Sequence, residues 1–384
     1  MAEKHTFYEF FAGGGMARAG LGSGWQCLFA NDFDRKKVDA YTTNWGGGEI
    51  THGDIYKLEV SQLPAQADLA WGSFPCQDLS LAGNGAGLAG QRSEAFWGFW
   101  RIVNLLKSER RAPRLLVLEN VVGALTSNGG RDFQEICRAL KLLGYRYGAL
   151  TMDAAHFVPQ SRPRLFIVAT REDCDLPGNL VGDAASPLWS SRTLRRAHEA
   201  LPSDLRRHWV WWQVATPAKS NKRFADLVEG EPSDVSWHTA AETEKFLSMM
   251  SNANRQKVEQ AKRSGEPMIG AIYRRTRSDE TGAKVQRAEV RFDGVAGCLR
   301  TPGGGSSRQF VMSIKGDVIR TRLLSGREAA RLMGLPDDYE LPANYNDAYH
   351  LLGDGLAVPV VRHLAGELLE RLLEPAAQYR VAAE

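Results

Sequence analysis

A doubly wound α/β sheet with a second, mostly irregular domain is predicted by three features of the sequence. Residues 1–171 alternate short apolar runs with amphipathic stretches, the alternation stops at residue 172, and helical periodicity returns only after residue 318. In the first region HTFYEFF, WQCLFAND, ADLAWGSF, RLLVLEN and RLFIVAT read as strands, with EAFWGFWRIVNLLKSE and RDFQEICRALKLLG as helices between them. From 172 to 318 Pro and Gly punctuate the chain, and the basic stretches TLRRAHEALPSDLRRHW and IYRRTRSDETGAKVQR show no clean βα alternation. Trp209, Trp211 and Trp212 of HWVWWQ alternate as in a strand and are expected in a core. In the last region, 319–384, SGREAARLMGLP and VVRHLAGELLERLL are helical, and the spacing of the latter suits packing back on the first domain.

With 384 residues, 43% of them hydrophobic, the chain can bury more than one core. Its 5 cysteines (Cys27, Cys76, Cys137, Cys174, Cys298) are scattered and form no CxxC pair, which argues against a disulfide framework and a zinc site. No metal is expected, and a reducing cytoplasm fits best. MAEKHTFYEFF is too short an apolar run for a signal peptide, and no stretch approaches the roughly 18 apolar residues of a membrane helix. A net charge of +3 permits a polyanionic partner without demanding one.

FYEFFAGGGMARAGL ends an apolar run in Gly13, Gly14 and Gly15 and opens a helix, as a turn does when its backbone must approach a ligand. It lacks the full dinucleotide fingerprint. In FANDFD, Asp32 ends the next strand where an acid binds ribose hydroxyls, with Phe33 beside it, and Asp54 ends another short segment. Two strand-end carboxylates and an aromatic, without a phosphate cradle, describe an adenosine pocket and favour S-adenosylmethionine over NAD or ATP. Taken singly, either acid is equally a helix cap. The residues expected to line the cofactor are Phe11, Ala12, Gly13, Gly15, Met16, Asp32, Phe33, Asp54, Ile55, Phe74 and Pro75.

In GSFPCQDLS, Pro75 fixes the backbone where a strand should end, and Cys76 follows it. A free cysteine is usually a small buried hydrophobe, but a thiolate at a strand end could attack an electron-poor ring carbon. LVLENV delivers Glu119 and Asn120 at another strand end, where an apolar setting would help the acid hold a proton. VPQSRPRLFIVA spaces Gln160, Arg162 and Arg164 by two, so that all three should share one strand face beside that acid.

These motifs resemble, in order, those of the cytosine-5 DNA methyltransferases: FAGGG, FPCQ, ENV, QSRPR, RLLSGREAARLMGLPDDY and GDGLAVPV. The resemblance implies a Rossmann-like S-adenosylmethionine-dependent sheet as catalytic domain (1–171, returning at 319–384) and a target recognition domain at 172–318. It makes Cys76 the nucleophile toward carbon 6 of a flipped cytosine and puts Glu119 on ring nitrogen 3 and the exocyclic amine. Arg164 would hold the carbonyl oxygen, and Arg162 would support the cysteine's surroundings. SLAGNGAGLAGQR would close over the base, and TPGGGSSRQFV would face DNA. The implied partners are double-stranded DNA and a cognate restriction endonuclease of the same system, and the implied state is a cytoplasmic, nucleoid-associated monomer. The last motif departs from the usual G-N-S-V: Asp354 and Gly355, in a segment the resemblance places near the cofactor, stand in the Asn and Ser positions. Rival readings are a tRNA cytosine methyltransferase, a non-catalytic methyltransferase-like protein and a NAD enzyme. The length of the middle segment, the presence of Cys76, Glu119, Arg162 and Arg164 together, and the incomplete glycine fingerprint weigh against them in turn.

Overall fold

The computed structural model describes residues 4–74, 94–218, 220–278, 281–301 and 308–374. They form two compact units, one of Met1–Met152, Pro163–Pro217 and Val360–Glu384, the other of Asp153–Arg162 and Ala218–Pro359.

The larger unit holds β1 (His5–Phe10), β2 (Trp25–Asp32), β3 (Ile50–His52), β4 (Leu69–Gly72), β5 (Leu115–Val121), β6 (Tyr145–Asp153) and β7 (Pro163–Arg171) in one sheet, ordered β3-β2-β1-β4-β5-β7-β6. The pairs β2–β3, β1–β2, β1–β4 and β4–β5 are parallel, while β5 and β7 are antiparallel. Between the strands run α1 (Met16–Leu21), α2 (Arg35–Trp45), α3 (Glu94–Ser108) and α4 (Arg131–Leu143). All the expected strands and helices are present. In α4 Phe133, Ile136, Cys137, Leu140 and Leu143, spaced by three and four, are all buried.

Strand β6 escaped the sequence reading because Arg146, Gly148 and Thr151 interrupt its apolar run. Gly148 is there for packing: a Cβ on it would lie 1.9 Å from the carbonyl oxygen of Val210. The 172–217 stretch thus belongs with the larger unit rather than with the middle domain expected for it. It contributes β8 (Val181–Gly182), α5 (Arg192–Glu199), α6 (Ser203–Arg206) and β9 (Trp211–Trp212), with β8 pairing β9. Trp212 is buried and its indole N–H donates to the carbonyl of Val168 at 3.1 Å. Trp209 and Trp211 are half-buried and in contact with His198. Core placement is therefore complete for Trp212 and partial for the other two.

The smaller unit is more regular than its punctuated sequence suggested. Strands β10 (Met268–Ser278), β11 (Lys284–Arg291), β12 (Gln309–Lys315) and β13 (Val318–Leu323) form an antiparallel sheet ordered β11-β10-β12-β13. With α7 (Ala240–Ser248) and α8 (Asn252–Arg263) it buries Phe246, Val258, Ile272, Phe310 and Ile314. Its boundaries also differ from the expected 172–318, because 319–359, including α9 (Gly326–Leu332) and α10 (Tyr345–Asp354), belong to it. The tail returns to the larger unit as expected. Within α11 (Val358–Leu364), Arg362 bonds the carbonyl of Leu21, and in α12 (Glu370–Leu373) Glu370 accepts from Trp25 at 2.9 Å.

Two fully buried charges join the end of β13 to the start of α9. The Arg322 guanidinium donates to both oxygens of Glu328, at 2.6 and 2.8 Å, and to the carbonyl of Glu229 at 2.6 Å. Glu328 also accepts from the N–H groups of Ser325 and Glu229. Removing one partner strands the other charge away from water. Glu328→Ala is expected to cost about 3–5 kcal/mol in chemical denaturation, and Arg322→Met with Glu328→Leu to recover most of it.

Candidate active site

The loop after β1 enters the left-handed region three times, at Phe11 (φ 57°), Gly13 (φ 55°) and Gly15 (φ 77°). For Phe11 that conformation costs on the order of 1–2 kcal/mol, strain of the kind held at ligand sites. Gly15 has no alternative, since a Cβ there would lie 2.3 Å from Nε1 of Trp45. Gly13 faces open space within 4 Å of its missing Cβ, which leaves its backbone room to meet a ligand. The loop is held by Asp32: its buried carboxylate accepts from the N–H of Gly13 and from that of Asp34, both at 2.8 Å. Burial raises the Asp32 pKa, opposed by Lys37 and these two N–H groups.

Asp32 is therefore no helix cap; Asp34 caps α2 instead. Asp54 is a cap, accepting from the N–H of Tyr56 at 2.9 Å. Phe33 is 74% exposed at the end of β2, an apolar ring open to stacking. Ala12, Met16, Ile55 and Phe74 are buried, Phe11 is partly so, and Pro75 lies outside the described residues. Open backbone at Gly13, an anchored acid and a bare aromatic at neighbouring strand ends fit an adenosine group.

Glu9, which the sequence reading passed over, is buried in β1 beside this loop. Burial pushes its pKa up to about 8, against the pull of Arg18 and of the backbone N–H groups of Arg18 and Ala17, while Asp32 raises it further. An acid inside an apolar strand directly before a glycine cluster was the available signal.

The second group lies at the end of β5. The antiparallel register sets Val121 opposite Arg164 and Glu119 opposite Phe166. Glu119 and Arg164 are thus diagonal neighbours on one face, and Nε of Arg164 lies 3.2 Å from the Glu119 carboxylate. Both side chains are largely buried. Asn120 points the other way, and its amide donates to the carbonyl of Phe74 at 3.0 Å. That grip is two residues before Cys76 in the chain. Cys76, with residues 80–92 of the expected closing loop and 302–307 of the expected DNA-facing loop, lies outside the described residues. Of the described cysteines, burial pushes the Cys27 thiol up to about 12 and that of Cys137 higher still, so neither supplies a thiolate at neutral pH.

Gln160, Arg162 and Arg164 do not share a strand face. β7 begins at Pro163, and Gln160 and Arg162 belong to the smaller unit. There Gln160 donates to the carbonyl of Leu332 and accepts from the N–H of Leu299. The buried Arg162 guanidinium donates to the carbonyls of Leu299, Gly353 and Gly355, at 2.6 to 2.7 Å, and to Sγ of Cys298 at 3.3 Å. The departure at residue 354 has a local partner: the exposed Asp354 carboxylate accepts from the hydroxyl of Thr301. Among the described residues no group of three or more His, Cys, Asp or Glu side chains could hold a metal ion, and no helix is long and apolar enough to cross a membrane.

A family profile described as C-5 cytosine-specific DNA methylase matches residues 5–370. The type II methyltransferase M.BsuFI of Bacillus subtilis is 28% identical over 96% of this chain and 74% of its own length. The type II methyltransferase M.HpaII of Haemophilus parainfluenzae is 26% identical over 97% of this chain and 91% of its own. Among solved structures, the S. pombe Dnmt2 methyltransferase shares the fold, with a TM-score of 0.61 at 19% identity, covering 97% of this chain and all of that one.

Glu9 makes stability depend on pH. Its folded pKa lies above the unfolded one, so the stabilisation from its protonated form is complete below about pH 4.5 and is lost as pH rises through about 8. Glu9→Gln should flatten this loss. Urea denaturation should show the variant gaining about 1–3 kcal/mol on the parent between pH 5 and pH 9.

Proposed function

The chain belongs to the C-5 cytosine-specific DNA methylase family and is a DNA (cytosine-5-)-methyltransferase; from that premise we propose that it acts on a cytosine flipped out of duplex DNA, through a covalent adduct at Cys76, with S-adenosylmethionine as methyl donor. The observation that carries the reading is the Glu119–Arg164 pair. A carboxyl and a guanidinium held 3.2 Å apart on one strand face complement the edge of cytosine, where a carbonyl oxygen, a ring nitrogen and an amino group stand in a row.

Carbon 5 of cytosine is a poor nucleophile. The Cys76 thiolate adds to carbon 6, and Glu119 delivers a proton to nitrogen 3, so the ring becomes an enamine with electron density at carbon 5. Arg164 holds the carbonyl oxygen and opposes charge developing there. When bound, S-adenosylmethionine supplies a sulfonium methyl group to that carbon. Loss of the carbon 5 proton then expels the cysteine, and Glu119 takes back the nitrogen 3 proton. Flipping the base costs a few kcal/mol, offset by contacts in the site.

For the cofactor, the Gly13 backbone, the Phe33 ring and the Asp32 carboxylate would form the adenosine side. Each Asp32 oxygen keeps a lone pair beyond the N–H it already accepts, enough for ribose hydroxyls. Arg162 is assigned to holding the 353–355 backbone, which carries Asp354 and Gly355. Sequence recognition, expected for 172–318, is proposed to reside in its 218–318 part, which lies in the smaller unit. Two type II relatives support a restriction endonuclease acting in the same system, and we take the enzyme to work as a cytoplasmic monomer at the nucleoid.

Duplex DNA containing 5-fluorocytosine tests the covalent step, because fluorine blocks the final elimination. The parent protein should form a denaturant-stable complex with it, and Cys76→Ser should form none and lose methyl transfer. Methylation of ordinary DNA without a trapped complex would sink the mechanism. Asn120 holds the Phe74 carbonyl with its amide N–H while its oxygen accepts from the N–H of Val121, so Asn120→Ala should lower kcat by roughly 10- to 100-fold while DNA affinity holds. Rapid-quench kinetics with binding titrations separate the two quantities.

A further inference from the structure

The sequence assigned the basic stretch at 192–207 to the recognition segment, but the fold builds it into the larger unit. It holds five arginines, Arg192, Arg195, Arg196, Arg206 and Arg207, against two acids, Glu199 and Asp204, whereas the whole chain nearly balances 48 basic residues with 45 acidic ones.

Its position follows from its hydrogen bonds. The N–H of Ser191, which caps α5, donates to the hydroxyl of Thr151 near the end of β6, at 3.0 Å. At the other end of α5, Gln134 in the first turn of α4 reaches the carbonyl of Ala200. Between these points α5 packs on the turn Val122–Leu125, which directly follows the strand carrying Glu119. Leu194, Leu201 and Leu205 sink into the same core cluster as Ala124 and Leu125. The helix therefore lies beside the carboxyl end of β5, with its apolar side down.

Arg192, Arg195 and Arg196 fall three and four residues apart on the opposite face and are exposed, as are Arg206 and Arg207. Asp204 is already neutralised by Lys141 at 2.8 Å. No ion pair or side-chain hydrogen bond joins any of the five guanidiniums to another described residue. Five positive charges gather here with one exposed acid, Glu199, on the same face; burial and then Arg206 lower the pKa of His198, and Glu199 opposes them. A polyanion relieves the repulsion among the five charges, and guanidinium forks match phosphate oxygens in pairs.

We propose that the arginine face of α5 and α6 is a phosphate-binding surface of the catalytic unit, which grips the backbone of duplex DNA beside the site where the cytosine is modified. This rests on duplex DNA being the substrate. The surface adds affinity and carries no sequence information, so recognition and grip are divided between separate parts of the chain.

Binding of the full chain to duplexes of target and unrelated sequence, titrated across salt, tests this. Arg195→Ala with Arg196→Ala, and Arg206→Ala with Arg207→Ala, should each weaken binding to every sequence alike, by about tenfold at moderate salt. Each should also lower the slope of log affinity against log salt by about 1–2, at roughly 0.9 per lost phosphate contact. Glu199→Gln, which removes the exposed acid from the same face, should tighten binding several-fold. Unchanged slopes in both double variants of a protein that methylates DNA would overturn this surface alone. A parent protein that neither binds nor methylates duplex DNA would overturn the substrate reading with it.

Discussion

The antiparallel entry of β7 beside β5 is the constraint on which the site depends. The strands from β3 to β5 pair in parallel, and the reversal that follows brings the beginning of β7 to the end of β5. A parallel β7 would carry Arg164 to the far edge of the sheet, away from Glu119. The register is as important as the direction, because a slip of one residue would turn Arg164 to the opposite face. Strand β5 is buried along nearly its whole length and β7 through its middle, so hydrophobic packing sets the register and the charged pair inherits it.

Neighbouring strand ends use buried polar side chains, two carboxyls and an amide, to shape backbone. Asp32 secures the glycine loop through the N–H of Gly13, Asn120 secures the exit of β4 through the carbonyl of Phe74, and Glu9 sits under the loop within reach of two backbone N–H groups. Asp32 and Asn120 are held in place by hydrogen bonds to main chain. That rigidity favours catalysis, where displacement of a reacting group by about 1 Å can cost two orders of magnitude in rate. It also explains how a loop with three left-handed residues holds its shape.

Legibility in the sequence is greatest where hydrophobic periodicity and motif order are unbroken. Six ordered motifs identified the chemistry, and the strands bearing Asp32, Glu119 and Arg164 stand where apolar runs placed them. Legibility is lower where polar residues break a buried strand, as in β6, or where arginines and acids alternate with a core face, as in β10 and β11. The spacing of Gln160, Arg162 and Arg164 also suggested one strand face, although Pro163 begins the strand and Gln160 and Arg162 bond within the smaller unit.

By itself the sequence determined which residue types are available and in what order: a glycine loop followed by an acid, a proline before a cysteine, an acid and an arginine at apolar strands, and a basic stretch after them. Local pattern suffices for these because strand and helix periods are properties of consecutive residues. Only the tertiary structure decided which of them meet. Glu119 and Arg164 are joined by a strand reversal, the arginines at 192–207 are assigned to the larger unit by tryptophans and leucines that bury there, and Arg162 is drawn to the carbonyls of Gly353 and Gly355. Such pairings depend on how distant segments pack, and the free energy of packing belongs to no segment taken alone.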